Sequence, residues 1–103
     1  MSWIETIRII LCRGNRGIED LGALKTLESD LASVTSLKWE IYRNPSVQED
    51  VLIVLRWEGN PPTSMESDIA LALARELKRH GLVDHNVWIN MVNDNVYDLH
   101  LKI

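Results

Sequence analysis

A chain of 103 residues, 46% hydrophobic and 25% charged, is one domain by length (residues 1–103) and too apolar to remain disordered. Its formal net charge is -4 and no Lys/Arg run exceeds two residues, which argues against a nucleic-acid partner. Cys12 is the one cysteine, which excludes an internal disulfide and fits a reducing, cytoplasmic setting.

The opening residues lack a basic leader and carry Glu5 and Arg8 inside their apolar stretch, so neither a signal peptide nor a membrane span is expected. Residues 7–12 are β-branched and aliphatic and predict a strand, closed by Gly14. Ile18, Leu21, Leu24, Leu27, Leu31 and Val34 then recur every three to four residues, with charges between them, which predicts an amphipathic helix. Leu37, Trp39 and Ile41 alternate with Lys38, Glu40 and Tyr42 in a second strand. A polar connection through Asn44, Pro45 and Ser46 leads to a third strand over residues 51–57, antiparallel to the second.

Gly59, Asn60, Pro61 and Pro62 break the chain. Thr63 and Glu66 have capping-box spacing, which predicts a helix from there to about His80, with Lys78, Arg79 and His80 complementing its dipole and Gly81 as C-terminal cap. A fourth strand is expected over residues 87–92, a turn at 93–95 and an edge strand over 96–103. The order is that of an α+β, ferredoxin-like βαββαβ sandwich with an extra C-terminal strand and both helices on one sheet face.

Strand parity separates two faces. Ile7, Ile9, Leu11, Trp39, Ile41, Val51, Ile53, Leu55, Trp57, Val87, Ile89 and Met91 are all apolar and should meet the helices. The other face mixes polar groups with Ile10, Leu52, Val54, Trp88 and Val92, and two helices leave it uncovered. A twofold partner presenting the same face is the economical cover. The interface is then expected to include Arg8, Ile10, Tyr42 and Leu52, together with Val54, Arg56, Trp88 and Val92; the charges on that face, Arg8, Glu40 and Arg56, would pair across strands or across the dimer. A solvated sheet with scattered apolar residues is the alternative.

A small-molecule pocket would lie between sheet and helices, with Trp39, Trp57, Ile9, Leu55 and Ile89 as candidate contacts; Trp57 is otherwise a core aromatic. His80 and His85 do not have the i, i+4 spacing of a helical metal pair, and no metal is expected there or at His100. His85 is a possible general base, because imidazole titrates near pH 6.5, but nothing in the sequence shows its partner. The loop from Gly14 to Gly17 precedes a helix without a phosphate-loop lysine and reads as a turn. Glu40 with Glu58, and Glu66 with Asp68, read as solvated carboxylates, and Cys12 has no histidine beside it in sequence.

Trp39-Glu40-Ile41-Tyr42-Arg43-Asn44-Pro45, followed by Val51-Leu52-Ile53-Val54-Leu55-Arg56-Trp57-Glu58, resembles the antibiotic-biosynthesis-monooxygenase-like superfamily. Its members carry a tyrosine-containing second strand, a hairpin and a third strand ending in Trp-Glu. The resemblance implies a dimeric α/β barrel, two ferredoxin-like units meeting through their sheets, and places Trp57 at the cavity border. It also implies cofactor-independent oxygenation of quinol or polyketide aromatics, or haem degradation. The family's histidine in the second helix has no counterpart between Thr63 and Arg79, so no catalytic residue is assigned. The expectation is a homodimer binding a small aromatic or apolar molecule, without a cofactor and with monooxygenase-like activity. A non-catalytic regulatory or assembly module, similar in topology to ACT-type ligand sensors, is the rival.

Overall fold

The computed structural model describes residues 2–12, 28–29, 37–64 and 66–91. Strands β1 (Ser2–Leu11), β2 (Leu37–Arg43), β3 (Asp50–Glu58) and β4 (Gly81–Ile89) and helix α1 (Asp68–Leu77) make up the described elements. Glu28 and Ser29, between β1 and β2, are helical and exposed. The remainder of the helix expected from Ile18 to about Ser33, the edge strand at 96–103, the loop from Gly14 to Gly17, His100 and Val92 lie outside the described residues.

The strands form one sheet in the order β2-β3-β1-β4, each neighbour antiparallel. Two strands lying between partners, with a helix carrying the chain from β3 to β4, give the α+β ferredoxin-like arrangement. β1 sits centrally because its odd positions suit a buried face: Trp3, Glu5, Ile7, Ile9 and Leu11 are all buried. β3 supplies Val51, Ile53 and Leu55 to the same layer. Four residues of α1, Ala70, Leu73, Ala74 and Leu77, close that layer from above, the alanines letting the helix approach the sheet. Complete burial of side chains such as Ile7, Ile53 and Leu77 stabilises the fold by about 1.5–3 kcal/mol each.

The structure corrects several expected boundaries; β1, for one, begins at Ser2 rather than at Ile7. The helix begins at Asp68, not at Thr63: Ser67 is the N-cap, in extended backbone, and its hydroxyl accepts from Ala70 N at 3.0 Å. The helix ends at Leu77, so Lys78, Arg79 and His80 form a turn beyond its last helical residue. Gly81 is therefore no helix cap but the first residue of β4, opposite Leu11, where an added Cβ would fall 2.1 Å from the Ile10 carbonyl oxygen. Leu82, the next residue, is 76% exposed. β4 begins six residues earlier than expected because a strand at the edge of the described sheet tolerates polar residues: Asp84 and Asn86 point to the open face. Ile89 and Met91, assigned to the helix-covered face, are 38% and 70% exposed; β4 ends at Ile89, on the edge of the described sheet.

The turn between β2 and β3 follows from Asn44, whose Oδ1 accepts from Ser46 N at 2.8 Å and Val47 N at 3.3 Å. After β3, Gly59 takes φ +93°, a conformation suited to glycine, and turns the chain toward α1.

Candidate functional site

On the helix-facing side of β1 one charged residue interrupts the apolar row. Glu5 has no exposed surface, although an ionised carboxylate in such a position is costly unless its oxygens are fully hydrogen-bonded. Its partners come from three other segments. Trp57 of β3 donates its indole N–H to Oε1 at 2.8 Å. The backbone N–H of Ser67, at the N-terminus of α1, donates to Oε2 at 3.1 Å, where the helix dipole also favours a negative charge. His85 of β4 places Nε2 2.9 Å from the same oxygen. Among the described residues, no buried side-chain N or O atom lacks a partner.

Register explains why these groups converge. Glu5 lies opposite Leu55 and Val87, so Trp57 and His85 are its diagonal neighbours on the two flanking strands. Trp3 and Trp57 are direct cross-strand partners and stack at 5.6 Å between ring centroids, 15° from parallel. The Glu5 hydrogen bond fixes the orientation of that stack.

Two openings flank the cluster. One, of about 260 Å³, is lined by Ser2, Trp3, Ile4, Lys38, Arg56, Trp57 and Glu58. The other, of about 320 Å³, lies between α1 and β4 and is lined by Glu66, Leu71, Ala74, Arg75, Lys78, Val83 and His85. His85 thus joins a buried carboxylate to a groove at the surface. Glu66 Oε2 stands 3.9 Å from Nδ1, beyond hydrogen-bond distance.

The five residues expected to contact a ligand do not share one opening. Trp57 borders the first cavity; Ile9 and Leu55 are completely buried in the core; Trp39, opposite Leu55, packs against that core half-buried; and Ile89 sits at the exposed edge. Trp57 stacks on Trp3 rather than on Trp39. Glu5 was missed as a site residue. The signal was there: extending β1 by its observed length puts Glu5 on the buried parity, where an unpaired charge cannot remain. Among the described residues, no group of three His, Cys, Asp or Glu could hold a metal ion.

The opposite sheet face carries the residues expected at a dimer interface. Ile10, Tyr42 and Trp88 are 40%, 47% and 58% exposed there, and Leu82 joins them. Leu52 is half-buried, and Val54, between Thr6 and Glu40 in the register, is buried. The charges on this face pair across strands. Arg8 grips Asp50 with two bonds of 2.8 Å, and Asn44 adds a third at 3.2 Å. Those bonds, Arg8 first, hold the Asp50 carboxyl below its ordinary value. Glu40 accepts from Tyr42 and from Arg56; the two bonds, Tyr42 first, lower its pKa, and Glu40 in turn raises that of Tyr42.

No protein-family model matches the chain, and neither does any curated protein. Among solved structures, a point variant of SnoaB, a cofactor-independent oxygenase from Streptomyces nogalater, superposes with a TM-score of 0.61 at 9% identity, over 94% of this chain and 98% of that one. At this identity the likeness establishes the ferredoxin-like α+β fold. A hydantoinase/carbamoylase-family amidase from Burkholderia phymatum matches with a TM-score of 0.47 at 15% identity, over 87% of this chain and 28% of its own, too low a score to bear on the argument. Among the described residues, no helix is long and apolar enough to cross a membrane.

Proposed function

We propose that the chain is one subunit of a homodimeric α/β barrel, closed through the open sheet face, that binds a small aromatic or apolar molecule beside Trp57 and acts on it as a cofactor-independent oxygenase. The observation that carries this reading is the Trp3–Trp57 stack, oriented by a buried carboxylate and bordering a cavity of about 260 Å³. The wall of Trp3 and Trp57 suits a flat ligand, and Ser2, Lys38, Arg56 and Glu58 supply the polar contacts that would orient it. The fold shared with SnoaB supports the oxygenase class by analogy. Oxygen uptake with a panel of quinols and with haem tests it. Uptake with an aromatic substrate, reduced at least about tenfold in Trp57→Ala, is the expected result. Flat traces under every condition remove the enzyme.

One observation favours the non-catalytic rival. Glu5 is completely satisfied by groups of the chain itself, as a purely structural network would be. A regulatory or assembly domain would bind its small ligand without consuming it. Saturable binding with no oxygen uptake separates that domain from the oxygenase.

A further inference from the structure

The groove between α1 and β4 is ordered by charge along its length, because the two elements run in opposite directions. Ser67, just before α1, and His85 of β4 both reach Glu5 Oε2, so the start of the helix lies beside His85. The turn at 78–80 joins the end of the helix to Gly81, so Lys78 lies at the opposite end. Glu66 and His85 therefore line one end of the groove and Arg75 and Lys78 the other, with the aliphatic Leu71, Ala74 and Val83 between them. Leu71 leaves 39% of its surface exposed there. Arg75 and Lys78 are exposed, and among the described residues neither is in an ion pair. At the acidic end, Glu66 Oε2 and His85 Nδ1 stand too far apart to bond each other.

We propose that this groove binds an unbranched aliphatic chain carrying a carboxylate at one end and an ammonium at the other, at a site separate from the opening beside Trp57. Its volume of about 320 Å³ lies at the small end of ligand pockets, ~300–1,000 Å³. Aliphatic walls take methylenes and offer no ring for stacking, so the occupant differs in class from the flat molecule assigned to Trp57. Arg75 and Lys78, roughly 6 and 10 Å beyond Leu71 along the helix axis, receive the carboxylate. Glu66 receives the ammonium. The 3.9 Å between Oε2 and Nδ1 admits one nitrogen within hydrogen-bond distance of both. A neutral imidazole that donates Nε2–H to Glu5 presents Nδ1 as an acceptor. Glu5, with no exposed surface, is a positioning residue: it holds the ring and touches no ligand. A simple anion would leave Glu66 unanswered and a simple amine would leave both cations so, whereas a two-ended chain meets every charge that lines the groove.

Isothermal titration of the full chain with 6-aminohexanoate, hexanoate and hexylamine tests the site, with amide ¹H–¹⁵N shifts to locate binding. 6-Aminohexanoate should bind saturably, about fivefold more tightly than either one-ended probe, and shift amides around Leu71, Val83 and His85. Arg75→Ala combined with Lys78→Ala should weaken 6-aminohexanoate about fivefold and leave hexylamine within about twofold. Glu66→Gln should weaken 6-aminohexanoate by a similar factor and leave hexanoate within about twofold. These side chains lie at the surface, so the variants should keep the wild-type unfolding midpoint to within a few degrees. Hexanoate or hexylamine binding as tightly as 6-aminohexanoate overturns the two-ended site, as do variants that change all three probes equally. Shifts confined to the surroundings of Trp57, or no saturable binding at millimolar concentration, overturn the groove as a binding site and leave the reading of the Trp57 opening untouched.

Discussion

Glu5 is buried without a lysine or arginine partner among the described residues, so its loss leaves an indole N–H, a backbone N–H and an imidazole facing an apolar core. Glu5→Ala should lower stability by about 3–5 kcal/mol in urea unfolding, with Glu5→Gln costing less because it retains one acceptor. A loss below about 1 kcal/mol would mean that water or repacking replaces the network. On the other face, Asp50 makes a pH-dependent contribution. Its native pKa is depressed by Arg8 and Asn44, so its stabilisation is complete above the ordinary carboxylate value and disappears as the pH falls through the native one. Asp50→Asn should therefore be less stable than wild type at neutral pH, and the two unfolding midpoints should converge in strong acid. A gap that persists there would trace the effect to packing. At this scale the sequence was legible where a residue acts within its own strand. Arg8, Arg56 and Glu40 were recognisable as charges on one face, whereas Glu5 and His85 lie 80 positions apart and meet only through the β1–β4 register.

Alternation and helical spacing revealed the described elements, while their ends depended on contacts from elsewhere in the chain. Thr63 and Glu66 have the spacing of a capping box, yet Ser67 caps the helix because its N–H also reaches Glu5; tertiary contact selected between two local solutions. Ser67→Ala should cost about 1 kcal/mol for the lost cap, measured by thermal unfolding, and an unchanged midpoint would return the helix start to Thr63. Gly81 was read as a helix stop because glycine favours that role, but its place is set by β1. An added methyl would press on the Ile10 carbonyl, so Gly81→Ala should destabilise by about 1–3 kcal/mol and loosen amide protection along β1 and β4. The polar Asp84-His85-Asn86 run concealed the early half of β4, since an edge strand with one open face needs apolar residues only at inward positions, and one of those is taken by His85.

Across the whole molecule, parity was the most informative signal. It separated the helix-covered face, which is nearly all apolar, from a second face that the described elements leave open. On that face Ile10, Tyr42, Leu82 and Trp88 expose apolar surface between the Arg8–Asp50 and Arg56–Glu40 pairs. Large apolar groups within a frame of satisfied charges suit a self-complementary contact. Trp88→Glu with Leu82→Glu should abolish association while leaving the helix-side core intact, because neither side chain belongs to that core. The measurement that bears most directly on the account is the molar mass of the wild-type chain by sedimentation equilibrium at low micromolar concentration. A mass of about twice 11.8 kDa, falling to a single chain in the double variant, is predicted. A wild-type mass of one chain would contradict both the closed barrel and the kinship drawn from it.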